Sequence, residues 1–80
     1  MKTEEIITMD IATVTGYGNT IVKTVTGTRF DVNEYVYNMK KTSVSTWHRE
    51  ITEVVAKQYP NPKDRWNADE FETITLKRGL

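Results

Sequence analysis

Val44-Ser45-Thr46-Trp47-His48-Arg49-Glu50-Ile51-Thr52-Glu53-Val54-Val55-Ala56-Lys57-Gln58-Tyr59 is the stretch on which the fold turns. Its large apolar residues, Val44, Trp47, Ile51, Val54, Val55 and Tyr59, recur at helical spacing and fall along one side of a helix. Ser43 or Ser45 offers a hydroxyl to cap its start. Arg49 with Glu53, and Glu53 with Lys57, make i,i+4 pairs for the exposed side, each worth about 0.2–0.5 kcal/mol. Pro60 stops the run because the residue before a proline avoids the α region, and Pro60-Asn61-Pro62 is a rigid break. One amphipathic helix over about residues 44–59 is the expectation.

Upstream, the chain reads as strands. Thr8, Thr13, Thr15, Thr20, Thr24, Thr26 and Thr28 crowd the first third, and β-branched residues suit a pleated surface. Ile7, Met9 and Ile11 share one phase of alternation and Ala12 and Val14 the other, which suggests a bulge or bend near Ile11. Gly16-Tyr17-Gly18-Asn19 reads as a hairpin turn, because Gly and Asn tolerate positive φ. Residues 20–26 form a second strand with Ile21 and Val25 on one face. Ile11-Ala12-Thr13-Val14-Thr15-Gly16 is echoed by Val22-Lys23-Thr24-Val25-Thr26-Gly27, as in a meander whose strands each end at a glycine turn.

Residues 30–39 fit two patterns. Phe30, Val32, Glu34 and Val36 alternate as in a strand, whereas Val32, Tyr35, Val36 and Met39 fit a helix with Asp31 and Glu34 as a capping box. The Tyr35-Val36-Tyr37 core favours the strand by propensity. Downstream, Asn67 and Glu70 suit a single capped helical turn, and residues 72–77 alternate as a last strand with Ile74 and Leu76 on one face. The sum is one compact α+β domain over residues 1–80. Its sheet is antiparallel, three- to four-stranded and ordered β-β-β-α-β, with one amphipathic helix packed on one face.

Composition narrows function by exclusion. With 11 basic and 11 acidic residues the formal net charge is zero, which argues against a general nucleic-acid coat. A charged fraction of 28% fits a water-soluble globular domain. No apolar run has transmembrane length and no signal-peptide core follows Met1, so a cytoplasmic location, host cytoplasm for a viral protein, is expected. There is no cysteine to cross-link so small a core, and a homodimer would relieve that shortage.

Catalytic and metal chemistry lack their usual residues. His48 is the single histidine, flanks the apolar stripe and has no orienting partner at helical spacing. Without a Cys/His set no metal site is expected, and without a glycine-rich loop leading into a helix no phosphate cradle. The expectation is a non-enzyme without a cofactor. Tyr35 and Tyr37 flank Val36, and an inward Val36 leaves both rings outward as interface anchors. Trp66 and the carboxylates Asp64, Asp69, Glu70 and Glu72 gather around the last loop as an acidic docking rim.

Met39-Lys40-Lys41-Thr42-Ser43-Val44-Ser45-Thr46-Trp47-His48-Arg49 resembles the turn and second helix of helix-turn-helix repressors of the lactose-repressor kind. Phe30-Asp31-Val32-Asn33-Glu34-Tyr35 resembles the first helix of that motif. The resemblance covers about a quarter of the chain. It implies a DNA-binding regulator over residues 31–58, with Ser43, Thr46 and Arg49 facing phosphates or base edges and Lys40 and Lys41 adding phosphate contacts. The first expectation, however, is a protein-binding module, an inhibitor or adaptor of phage or mobile-element type acting on a host protein. DNA is the second partner class and no membrane partner is expected.

Overall fold

The structure, a computed structural model, describes residues 5–42 and 45–76. The described elements run β1 (Ile6–Val14), β2 (Thr20–Thr28), α1 (Arg29–Thr42), β3 (Thr46–Glu50), α2 (Glu53–Gln58), α3 (Pro62–Trp66) and β4 (Glu70–Thr75). The strands form one four-stranded sheet in the order β3-β1-β2-β4. The α+β class is as the sequence indicates. The sheet is mixed instead of purely antiparallel, and three helices are described instead of one.

The mixed character follows from the connections. β1 and β2 join through a tight hairpin and pair antiparallel over their whole length. The turn is as expected: Gly18 donates its N–H to Thr15 O at 2.9 Å and has a φ of +86°, which glycine adopts without steric cost. β3 also pairs antiparallel with β1. β4 is reached by a crossover from β3 at one edge to the far side of β2. A crossover can bring a strand in alongside one of like direction, and β4 pairs parallel with β2.

The expected helix over 44–59 is not formed. Residues 46–50 are β3, and helix resumes only at Glu53, with Thr52 as its N-cap; Val44 lies outside the described residues. The free side of β1 needs backbone partners, and β3 supplies them with Arg49 opposite Asp10 and Trp47 opposite Ala12. Cross-strand pairing of that kind overrides a weak helical pattern.

Conversely, the segment favoured as a strand is α1. Val32 is fully buried and Val36 nearly so, while Tyr35 and Met39 pack against the same core. Thr28, not Asp31, caps the helix, its hydroxyl accepting the Asp31 N–H at 3.2 Å. Asp31 near its start and Lys40 and Lys41 at its end suit the helix dipole.

No bulge interrupts β1: its register with β2 is unbroken from Ile6 opposite Thr28 to Val14 opposite Thr20. The change of phase has another cause. As an inner strand β1 is buried on both faces, with Ile7, Met9 and Ile11 toward α1 and Asp10 and Ala12 on the reverse. Gly27 is likewise no turn residue. It lies within β2, where an added Cβ would come within 3.0 Å of Leu76 Cβ.

The main core therefore lies between α1 and one sheet face: Ile7, Met9, Ile11, Val25, Val32 and Val36. Each such side chain contributes about 1.5–3 kcal/mol on burial. On the reverse face, registers align side chains in rows across all four strands. One row is Trp47, Ala12, Val22 and Phe71; the next is Arg49, Asp10, Thr24 and Thr73. α3 returns over this reverse face.

Candidate functional site

The reverse face is organised by one carboxylate. Asp10 has 0% exposure at the middle of an inner strand, where an unpaired charge would be strongly disfavoured. Both of its oxygens are satisfied. Arg65 Nε donates to Oδ2 at 2.6 Å and Nη2 to Oδ1 at 3.0 Å. Trp66 Nε1 donates to Oδ2 at 3.0 Å and the Thr24 hydroxyl to Oδ1 at 2.8 Å. Arg65 uses its remaining nitrogen, Nη1, on the Tyr59 carbonyl at 2.7 Å, and its side chain is only 4% exposed.

Local chemistry aims these donors. Pro62 begins α3 at a position that needs no N–H, Asn61 caps it by accepting from Lys63 N, and Asn67 ends it in the left-handed region at φ 50°. A five-residue helix thus holds Arg65 and Trp66 against the sheet. Arg49 then lies over the Trp66 ring at 5.5 Å from its centroid. The cluster binds the α2–α3 segment to the sheet. With both Asp10 oxygens occupied by this chain's own donors, the cluster is a fastening.

The residues singled out in the sequence do not form one surface. Tyr37 is exposed at 62%, with the Lys41 ammonium 4.8 Å from its ring centroid, whereas Tyr35 is half-buried against the core. The expected exposure of both rings rested on a strand; in a helix they point a hundred degrees apart per residue step and only Tyr37 faces outward. Trp66 is half-buried in the Asp10 cluster. Asp69 fastens β4 to β2, accepting the Thr20 N–H at 2.8 Å while its own N–H goes to Thr20 O. Glu72 lies 3.9 Å from Lys23, and Glu70 and Asp64 are exposed.

The residues of the helix-turn-helix resemblance are divided as well. α1 supplies a first helix, but the second helix is absent because residues 46–50 are β3. Lys40 and Lys41 are at the end of α1, while Arg49 is on the opposite sheet face over Trp66. The Thr46 hydroxyl is buried beside its cross-strand partner Thr13, and Ser43 lies outside the described residues. The docking geometry of that motif is therefore not assembled.

Two features escaped the sequence reading. One is Asp10 itself, a charged residue set within Ile6-Ile7-Thr8-Met9-Asp10-Ile11-Ala12, whose signal was a carboxylate in an apolar strand. The other is which strands, among the described residues, form the edges of the sheet at which strand addition was expected. β3 and β4 end the sheet. All of β4 except half-buried Ile74 is exposed, as is all of β3 except half-buried Thr46. Trp47 at one edge is 53% exposed and Phe71 at the other 46%.

The edges also differ in charge. β4 presents Glu70 and Glu72 on the α1 side of the sheet, following Asp69. β3 presents His48 on that side and Arg49 on the reverse, while its Glu50 is held by Arg29 at 3.1 Å. Partial desolvation, helped by Lys40, holds His48 below the usual imidazole range. Among the described residues no group of three metal-ligating side chains occurs, and no helix is long and apolar enough to cross a membrane.

These features define a small mixed-sheet α+β domain with a polar fastening on one face and two open edges. No protein-family model, curated protein or solved structure matches the chain.

Proposed function

We propose that the chain is a non-enzymatic protein-binding module that takes up an extended segment of its partner along the open edge of β4. The observation that carries this reading is β4 itself. Glu70-Phe71-Glu72-Thr73-Ile74-Thr75 ends the sheet exposed and contains no proline, and its charges, Glu70 and Glu72, are of one sign and select against acidic strands. A partner strand would gain main-chain hydrogen bonds from that edge and specificity from its alternating side chains. Glu70 and Glu72 on one side favour basic residues in the partner, and Phe71 on the other favours an apolar one. Sequestering such a segment suits an inhibitor or adaptor.

Selection of short extended peptides from a display library tests the proposal, followed by amide chemical-shift mapping of the best sequence. Alternating basic and apolar peptides that shift residues 69–75, and weaken with added salt, are the expected outcome. Selected peptides that map to α1 around Tyr37, or no selection at all, would refute it.

A further inference from the structure

We infer that the strand taken up at β4 is β3 of a second copy of this chain, so that copies join head to tail through their sheets. This rests on the strand-addition reading above and names its partner. The first support is direction. β1 is antiparallel to both β2 and β3, and β2 is parallel to β4, so β3 and β4 point the same way. A second copy in the same orientation can therefore lay its β3 beside β4 in parallel, keeping α1 on the same side of the joined sheet.

Side-chain rows supply the second support. Extending the row that ends at Phe71 brings it to Trp47 of the next copy, joining two half-exposed aromatic rings. Such pairs are favourable beyond their buried area. The adjacent row on the α1 side runs His48, Ile11, Lys23 and Glu72, so Glu72 meets the next copy's His48. A neutral imidazole N–H is a donor to that carboxylate.

Charge selects this pairing over a closed one. In an antiparallel β4-to-β4 pair, residues directly opposite share a face. Glu70 and Glu72 would then lie against the same carboxylates of the other copy in the central registers, and like charges across strands repel. In the parallel pairing Glu70 and Glu72 instead face Thr46 and His48 of the next copy, neither of them acidic. A heterologous contact of this kind leaves a free β3 at one end and a free β4 at the other, so it propagates. One strand pair buries less than about 1,200 Å², which places the contact in the weak class.

Sedimentation velocity on the full chain, from about 10 μM to about 1 mM, tests the inference. The expected result is an average mass that rises past the dimer without a plateau. Glu70→Lys/Glu72→Lys should weaken association about tenfold with an unchanged circular-dichroism melt, and should shorten native assemblies when mixed in, because it still offers β3. Trp47→Glu should lose association yet retain peptide binding at β4. A chain that stays monomeric throughout, or saturates as a dimer, overturns the inference. If such a chain still binds peptides at residues 69–75, the strand-addition function survives; if it binds none, both readings fall.

Discussion

Arg65→Met removes the guanidinium that neutralises Asp10 and leaves a carboxylate with no exposure on an inner strand. The Trp66 and Thr24 donors remain, but the countercharge does not. Breaking one side of a buried ion pair costs about 3–5 kcal/mol. An 80-residue chain has about 4–12 kcal/mol in total, so this one change removes a large part of the stability. At about 4–8 °C per kcal/mol for a domain of this size, melting falls by at least about 12 °C. Asp10→Asn, which leaves Arg65 buried and charged, should cost a similar amount. Asp10→Leu/Arg65→Met removes both charges and should lie well above either single change, within about 1–2 kcal/mol of native. Urea unfolding followed by circular dichroism measures all of these, and Trp66 fluorescence in a Trp47→Phe background reports the cluster itself. Additive effects in the cycle, or single changes below about 1 kcal/mol, would refute the fastening assigned to Asp10 and Arg65.

Other outcomes follow from individual contacts. His48 binds its proton less readily in the folded chain than in the unfolded one, so the unfolded state takes up more protons on acidification. Its contribution to stability is intact above about pH 6.5 and declines below it; urea midpoints of native and His48→Gln chains across about pH 5–7.5 should differ in slope. Gly27→Val must push Leu76 aside and should cost about 1–3 kcal/mol, whereas Gly16→Ala, with open space around it, should leave the thermal midpoint nearly unchanged. Val32→Ala opens a hole in the core beneath α1 and should cost about 1.5–3 kcal/mol in chemical denaturation. Asn67→Val forces a β-branched residue into the left-handed region and should cost about 1–2 kcal/mol, while Asn67→Gly should be nearly neutral by the same assay.

The hairpin and the inner strands were legible because β-branched residues crowd both strands and Gly18 marks the turn between them. The last strand was legible through Ile74, but it starts at Glu70, which was expected in a capped helical turn, and ends at Thr75 instead of residue 77. β3 was not. An edge strand exposed on both faces carries no apolar alternation, and in Thr46-Trp47-His48-Arg49-Glu50 the side-chain pattern tells nothing of the backbone pairing with β1. Trp47 and Ile51 then combined with Val54 and Val55 into a helical stripe that straddles two separate elements. In α1, Tyr35-Val36-Tyr37 has strand propensity, but the spacing of Val32, Tyr35, Val36 and Met39 decided, since those four meet the sheet. The carboxylate of Asp10 and the guanidinium of Arg65 stand 55 residues apart. No local pattern links them, so the fastening emerges only once α3 is folded back over the sheet.

That separation also orders assembly. Chains emerge from synthesis N-terminus first, and residues up to Glu50 already contain β1, β2, α1 and β3 with the apolar core between them. Until Arg65 has been made, Asp10 lies on a face that still meets water, where an ionised carboxylate keeps its hydration at no cost. Desolvation and neutralisation then arrive together, when Pro62–Trp66 closes over the sheet and carries Glu70 to its place beside β2. The last quarter of the chain thus behaves as a clasp. It closes on a unit that already holds three strands, and β4, one of the two edge strands, is the last element of the chain.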